Sequence, residues 1–161
     1  MKFFFEKHPN LIKILGTGLI AFLICLPISN KIKNQNVKID ESLIKESLSI
    51  YKEKLKTSSK NPYELVVSGT RQLNSNEIDM ALITLEQAAQ KDKNYRDAWL
   101  YLGVAYLKNS DYNSAVKALE LAKQIDPIYP PVYQYLALAY EKTGDVELSK
   151  ECYNKYNQLN K

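Results

Sequence analysis

Between residues 96 and 129 the chain places Trp99, Leu102, Gly103, Tyr106, Ala115, Leu119, Ala122 and Pro127. A shift of 34 residues forward lands on Tyr133, Leu136, Ala137, Tyr140, Ser149 and Tyr153, and the same shift backward lands on Leu65, Ser68, Gly69, Gln72, Ala81, Leu85 and Ala88. Tyr95 and Tyr129 are also in register. This period constrains the fold more than any other feature. Each unit is one supersecondary element that cannot bury its apolar side alone, so the units must stack on one another.

Within a unit the spacing is helical. Trp99, Leu102 and Tyr106 fall at i, i+3 and i+7, one face of a helix, and Ala115, Leu119 and Ala122 make the same face on the next. Two such helices form a hairpin. Gly103 is expected opposite Ala115, where missing side-chain bulk lets the helices approach, and Pro127 ends the second helix and sets the turn to the next unit. Between the helices, Asn109-Ser110-Asp111 and Thr143-Gly144-Asp145 supply a residue tolerant of left-handed geometry and then an Asp N-cap.

The pattern W-x2-L-G-x2-Y, A-x3-F, P, with Leu119 in the place of Phe, resembles the tetratricopeptide repeat. The resemblance covers about residues 62 to 160, and Ser68 and Gln72 depart from the pattern in the first unit. It implies an all-α tetratricopeptide α-solenoid of about three helix-turn-helix repeats, at residues 62–95, 96–129 and 130–161. In proteins of this family the first helix of each repeat lines a concave groove that holds peptides. The resemblance therefore implies a binding surface of Tyr63, Val66, Thr70 and Leu73, then Asp97, Leu100, Val104 and Leu107, then Gln134, Leu138 and Glu141. Members that bind chaperone tails clamp a terminal carboxylate with Lys, Arg and Asn. Here those positions hold Val66, Thr70, Leu100, Val104, Gln134 and Leu138, so a clamp is not expected. An apolar strip through Val66, Leu100, Val104 and Leu138 suits an amphipathic helix or an extended apolar segment of a partner protein, or alternatively is filled by the N-terminal helix or the connector of the same chain.

The ends of a stack need polar caps. The last helix, at about residues 146–160, alternates Asn154, Lys155, Asn157 and Gln158 with Leu148, Cys152, Tyr153, Tyr156 and Leu159, which lets it act as its own cap. At the other end a helix is expected from Asp40, its N-cap, with Leu43, Ile44, Leu48, Tyr51 and Leu55 forming one apolar stripe. That stripe packs on the first repeat, or alternatively pairs with the same helix of a second copy, which would make the chain a self-associating structural module. Residues 56–61 then end the helix, and Pro62 suits the first position of a new one.

Residues 11–28 are apolar except for Lys13. A spanning helix takes about 20 residues and a cleavable signal has an apolar region of about 7 to 15, so this run lies between the classes. Lys13 can snorkel to the headgroups, and the residues after the core make a poor cleavage site. Residues 1–29 read as an uncleaved single-pass anchor preceding the repeat domain, with a cleaved signal and lipidation at Cys25 as alternatives. Three lysines lie on each flank, and the free amino terminus tips the balance toward an exported repeat domain. Residues 30–38 read as a solvated linker that opens a connector reaching residue 61.

The chain's net charge of +4 does not mark a nucleic-acid partner. Residues 1–38 hold six Lys and one Glu, which leaves the other 123 residues at −1, with only Arg71 and Arg96 as guanidinium donors. Phosphate binding requires a clustered positive face. Catalysis is not expected either. The one His is His8 in the leader, Cys25 and Cys152 cannot build a disulfide framework within the domain, and Cys152 lacks a base to activate it. Gly16-Thr17-Gly18 lies inside the apolar run without a preceding strand, so no phosphate loop is present. No metal or cofactor is expected. The 12 Tyr are assigned mainly to packing.

Overall fold

The computed structural model describes residues 41–56 and 60–161. These residues form seven α-helices: α1 (Glu41–Lys56), α2 (Pro62–Asn74), α3 (Ile78–Lys91), α4 (Arg96–Lys108), α5 (Tyr112–Ile125), α6 (Pro130–Thr143) and α7 (Val146–Leu159). The apolar run at 11–28, the linker at 30–38 and the Asp40 cap lie outside the described residues. No helix among the described residues is long and apolar enough to cross a membrane. Helix α1 crosses the boundary between two compact units, the second of which, Leu48–Lys161, contains the hairpins α2–α3, α4–α5 and α6–α7.

The helix ends follow from local chemistry. Asn61 accepts from the Glu64 amide at 2.9 Å while Glu64 Oε2 accepts from the Asn61 amide at 3.2 Å, a reciprocal cap that starts α2 just before Pro62. Inside each hairpin the turn recurs with the period of the sequence. Asn76, Ser110 and Gly144 hold positive φ of 61°, 62° and 90°. The amides after them close onto Gln72, Tyr106 and Tyr140 carbonyls at 2.9, 3.0 and 2.8 Å. These bonds satisfy carbonyls that the helix end leaves open. Asp111 caps α5 by accepting from the Ser114 amide at 3.1 Å. Asp145 does not cap α7: its carboxylate takes the Thr143 hydroxyl at 2.7 Å instead.

The crossing within each hairpin corrects one expectation. A Cβ on Gly103 would meet Leu119 Cγ at 2.5 Å, so the glycine makes room for Leu119 and not for Ala115. Gly69 stands against Leu85 in the same way at 2.6 Å, which gives the first hairpin the packing of the second despite its weaker sequence match. In the third hairpin Ala137 occupies the glycine position, and its partner Tyr153 turns outward to 57% exposure where Leu85 and Leu119 are fully buried.

Successive hairpins are joined by an apolar seam and a repeated hydrogen bond. Tyr106 donates to Glu86 at 3.0 Å and Tyr140, one period on, donates to Glu120 at 2.9 Å. In the first hairpin Gln72 takes the tyrosine position and donates to Tyr51 Oη of α1 at 2.6 Å. Tyr51 in turn bonds the buried Thr84 hydroxyl at 2.9 Å, and Leu55 is buried beside it. The second half of α1 therefore meets the first hairpin through the side chains of Tyr51 and Leu55. At 98, 102, 105 and 132, 136, 139 the inner first helices turn Ala, Leu, Ala and Val, Leu, Ala toward the previous hairpin, all buried. The matching positions of α2 are Glu64, Ser68 and Arg71, a polar start to the stack.

Candidate functional site

The first helices α2, α4 and α6 lie side by side, and their residues divide into a seam and an outer face. Val66, Leu73 and Leu100, expected on the binding surface, are only 5%, 4% and 3% exposed. They belong to the seam. Val66 and Leu73 pack in one cluster with Ala98, Leu102 and Ala105 of α4, and Leu100 packs with Val132 and Leu136 of α6. The last repeat has Gln134 and Glu141 at the corresponding positions, both exposed, because no further helix among the described residues covers them. Leu107 and Val104 are half-buried against these clusters, while Thr70 is half-buried, Tyr63 is 65% exposed and Leu138 is 41% exposed.

Three residues of this face escaped the sequence reading. Val67, Tyr101 and Tyr135 stand one period apart, half-buried or exposed at 39% for Val67, in line with Thr70, Val104 and Leu138 a turn further along. Recurrence of Tyr at 101 and 135 was the available signal. It was masked because so many tyrosines at this period are structural: Tyr133 donates to the Pro127 carbonyl at 2.7 Å just as Trp99 donates to Lys93 at 2.8 Å.

At the N-terminal ends of α4 and α6 the face carries a charged cluster. Arg96 donates from Nε and Nη2 to Asp97 Oδ1 at 2.9 and 2.7 Å and from Nη1 to Asp126 Oδ2 at 2.6 Å. Its guanidinium carbon also sits 3.6 Å from the ring centroid of Tyr129. Burial, and then the charge of Asp97, push the phenols of Tyr95 and Tyr101 above their ordinary range. At the other ends of α4 and α6 Lys108 and Lys142 are exposed.

On the opposite side a cavity of about 700 Å³ opens between α5 and α7 over Tyr133 and Tyr140 of α6. Glu120, Lys123, Glu151 and Lys155 line it, together with the free, buried Cys152. Burial raises the Cys152 pKa, which keeps the thiol protonated at neutral pH and weak as a nucleophile. Among the described residues no group of His, Cys, Asp and Glu side chains has the arrangement of a metal site.

Residues 97–129 and 130–161 each match the tetratricopeptide repeat family. No curated protein matches the sequence. Among solved structures, a point mutant of MamA superposes with a TM-score of 0.63 at 20% identity, covering 74% of this chain and 87% of that one. The first TPR of Spaghetti (RPAP3) bound to HSP90 peptide SRMEEVD gives 0.61 at 18% identity, covering 63% of this chain and 81% of that one. The Sgt2 TPR domain from Aspergillus fumigatus gives 0.59 at 23% identity, covering 62% of this chain and 66% of that one. These likenesses establish the fold: over its described residues the chain is an all-α tetratricopeptide-repeat solenoid, with two of its three hairpins matched in sequence to the repeat.

Proposed function

We propose that this chain is a membrane-anchored adaptor that holds a partner polypeptide on the outer face of its first helices. The observation that carries the reading is the row of Val67, Tyr101 and Tyr135 beside Thr70, Val104 and Leu138, which presents apolar and aromatic surface that no helix among the described residues covers. A contiguous exposed apolar patch, unlike a single exposed apolar residue, marks an interaction site. The peptide-bound state of the first TPR of Spaghetti supports the same use of the fold. A carboxylate clamp is not part of the proposal, since Val66 and Leu100 are buried and Gln134 and Leu138 carry no positive charge. The 11–28 apolar run supports anchoring, with the repeat domain on the exported side.

Charge introduced at Val67→Glu and Leu138→Glu removes partner capture while the helical circular dichroism and the melting temperature stay near the parent values. Capture undiminished in both variants contradicts the adaptor reading. A second reading, self-association, is favoured by Leu43 and Ile44, exposed within residues 41–47, and separately by Tyr153 on α7. Of the stripe first proposed for that pairing, Leu55 is not available, because it is buried in the first repeat. Sedimentation of the chain at micromolar concentration distinguishes the two, a monomer excluding the second.

A further inference from the structure

The adaptor reading leaves the chemistry of the partner open, and the hydrogen-bond inventory around Arg96 narrows it. Arg96 spends its Nε, Nη1 and Nη2 on Asp97 and Asp126 and its flat face on Tyr129. Asp126 is engaged at both oxygens, since its second oxygen accepts from the Ile128 amide at 3.3 Å. Both bonds to Asp97 fall on Oδ1, so Oδ2 takes no hydrogen bond among the described residues. One cation set between two carboxylates leaves the cluster at −1, and the open group is an oxygen that only accepts.

Phenol rings share the face with Asp97. Tyr101 lies one helical turn beyond Asp97 on the same face, and the field of Asp97, larger than the opposing field of Arg96, reaches both it and Tyr95. Tyr101 also lies within electrostatic reach of Tyr129 and Tyr135, and Tyr95 within that of Tyr63. None of Tyr63, Tyr95, Tyr101 and Tyr135 uses its hydroxyl in a side-chain hydrogen bond within the described residues, in contrast to Tyr51, Tyr106, Tyr133 and Tyr140. Rings beside a carboxylate with a spare lone pair attract a cation and repel an anion. Arg96 over Tyr129 is one such pairing, made within the chain. The exposed lysines of the face, Lys108 and Lys142, sit about three turns away at the other helix ends.

Resting on the adaptor reading, we infer that the partner segment is extended and basic: a Lys or Arg side chain stacks on the Tyr101 and Tyr135 rings with its cation on Asp97 Oδ2, and apolar neighbours lie along Val67, Val104 and Leu138. Extension follows from direction. The tyrosine row runs across the helices, and three helices spaced at about 8–10 Å span roughly 20 Å, which about six extended residues cover.

The test pans a randomised library of peptides about twelve residues long against the full chain in detergent micelles, and then measures the binding of one enriched peptide. The expected result is enrichment of Lys or Arg at one fixed place. Binding then falls roughly three- to tenfold for Asp97→Asn and for Tyr101→Leu, weakens with added salt, and is unchanged for the distant Glu147→Gln. Because Tyr101→Leu leaves the Arg96 ion pairs intact, it reports on the site even if Asp97→Asn perturbs folding. Enriched peptides without a basic preference, or binding indifferent to both substitutions, overturn this inference and leave the adaptor reading standing. No enrichment at all overturns both.

Discussion

At the scale of single residues, the glycine of each hairpin is a space allotted to a particular leucine. A methyl group at Gly103 falls 2.5 Å from Leu119 Cγ, well inside contact distance, and Leu119 is fully buried and has nowhere to retreat. Gly103→Ala is therefore expected to destabilise the chain by about 1–3 kcal/mol in denaturant unfolding, despite the higher helix propensity of Ala. Pairing it with Leu119→Ala relieves the clash, so the double variant loses less than the two single losses added together; strict additivity contradicts the assignment. Ser110 offers the opposite case. It holds φ 62°, the conformation given to Gly144 one period on, and a side chain costs roughly 1–2 kcal/mol there. Ser110→Gly is expected to raise stability by about 0.5–1 kcal/mol, and a lower melting temperature counts against it. Tyr106 supplies a pH signature. Burial, and then its hydrogen bond to Glu86, raise its pKa to about 12 from 10.0. The unfolded chain therefore releases this proton at lower pH than the folded chain does, so the contribution is whole below pH 10 and is lost as pH climbs toward 12. Tyr106→Phe should flatten the stability profile in that window, and an unchanged slope contradicts the assignment.

At the scale of elements, α1 is the informative case. Tyr51 bridges Gln72 and Thr84 while Leu55 buries beside them, and this takes over the link that Glu86 and Glu120 make to the tyrosines of later repeats. Leu55→Ala is expected to cost about 2 kcal/mol and to speed amide exchange in residues 48–56 far more than in α4. Equal protection in the variant contradicts a docking role. The hairpins were legible because their period is carried by buried residues, and burial restricts residue choice. The outer face was less legible for the same reason reversed. Val66, Leu73 and Leu100 look like a surface strip by register, yet positions that change from apolar to Gln134 and Glu141 in the last repeat mark a seam that ends where the stack ends. The Arg96 cluster was missed because Asp126 lies 30 residues away in sequence, and only the hairpin brings it to Arg96.

At the scale of the whole molecule, the stack of described helices has polar ends. Glu64, Ser68 and Arg71 replace the apolar triplets with which the inner first helices grip their predecessors, and Gln134 and Glu141 close the other end. Among the described residues the outer face of the first helices presents a row of aromatic and apolar side chains, Val67, Tyr101 and Tyr135 beside Val104 and Leu138, and the proposed partner binds there. The most direct test puts a photo-crosslinking residue at Leu138 of the full chain in its native membranes, with the same probe at Glu147 of α7 as the comparison. The account predicts one discrete foreign protein joined from Leu138 and absent from Glu147. Adducts of the chain with itself alone, or the same adducts from both positions, contradict it.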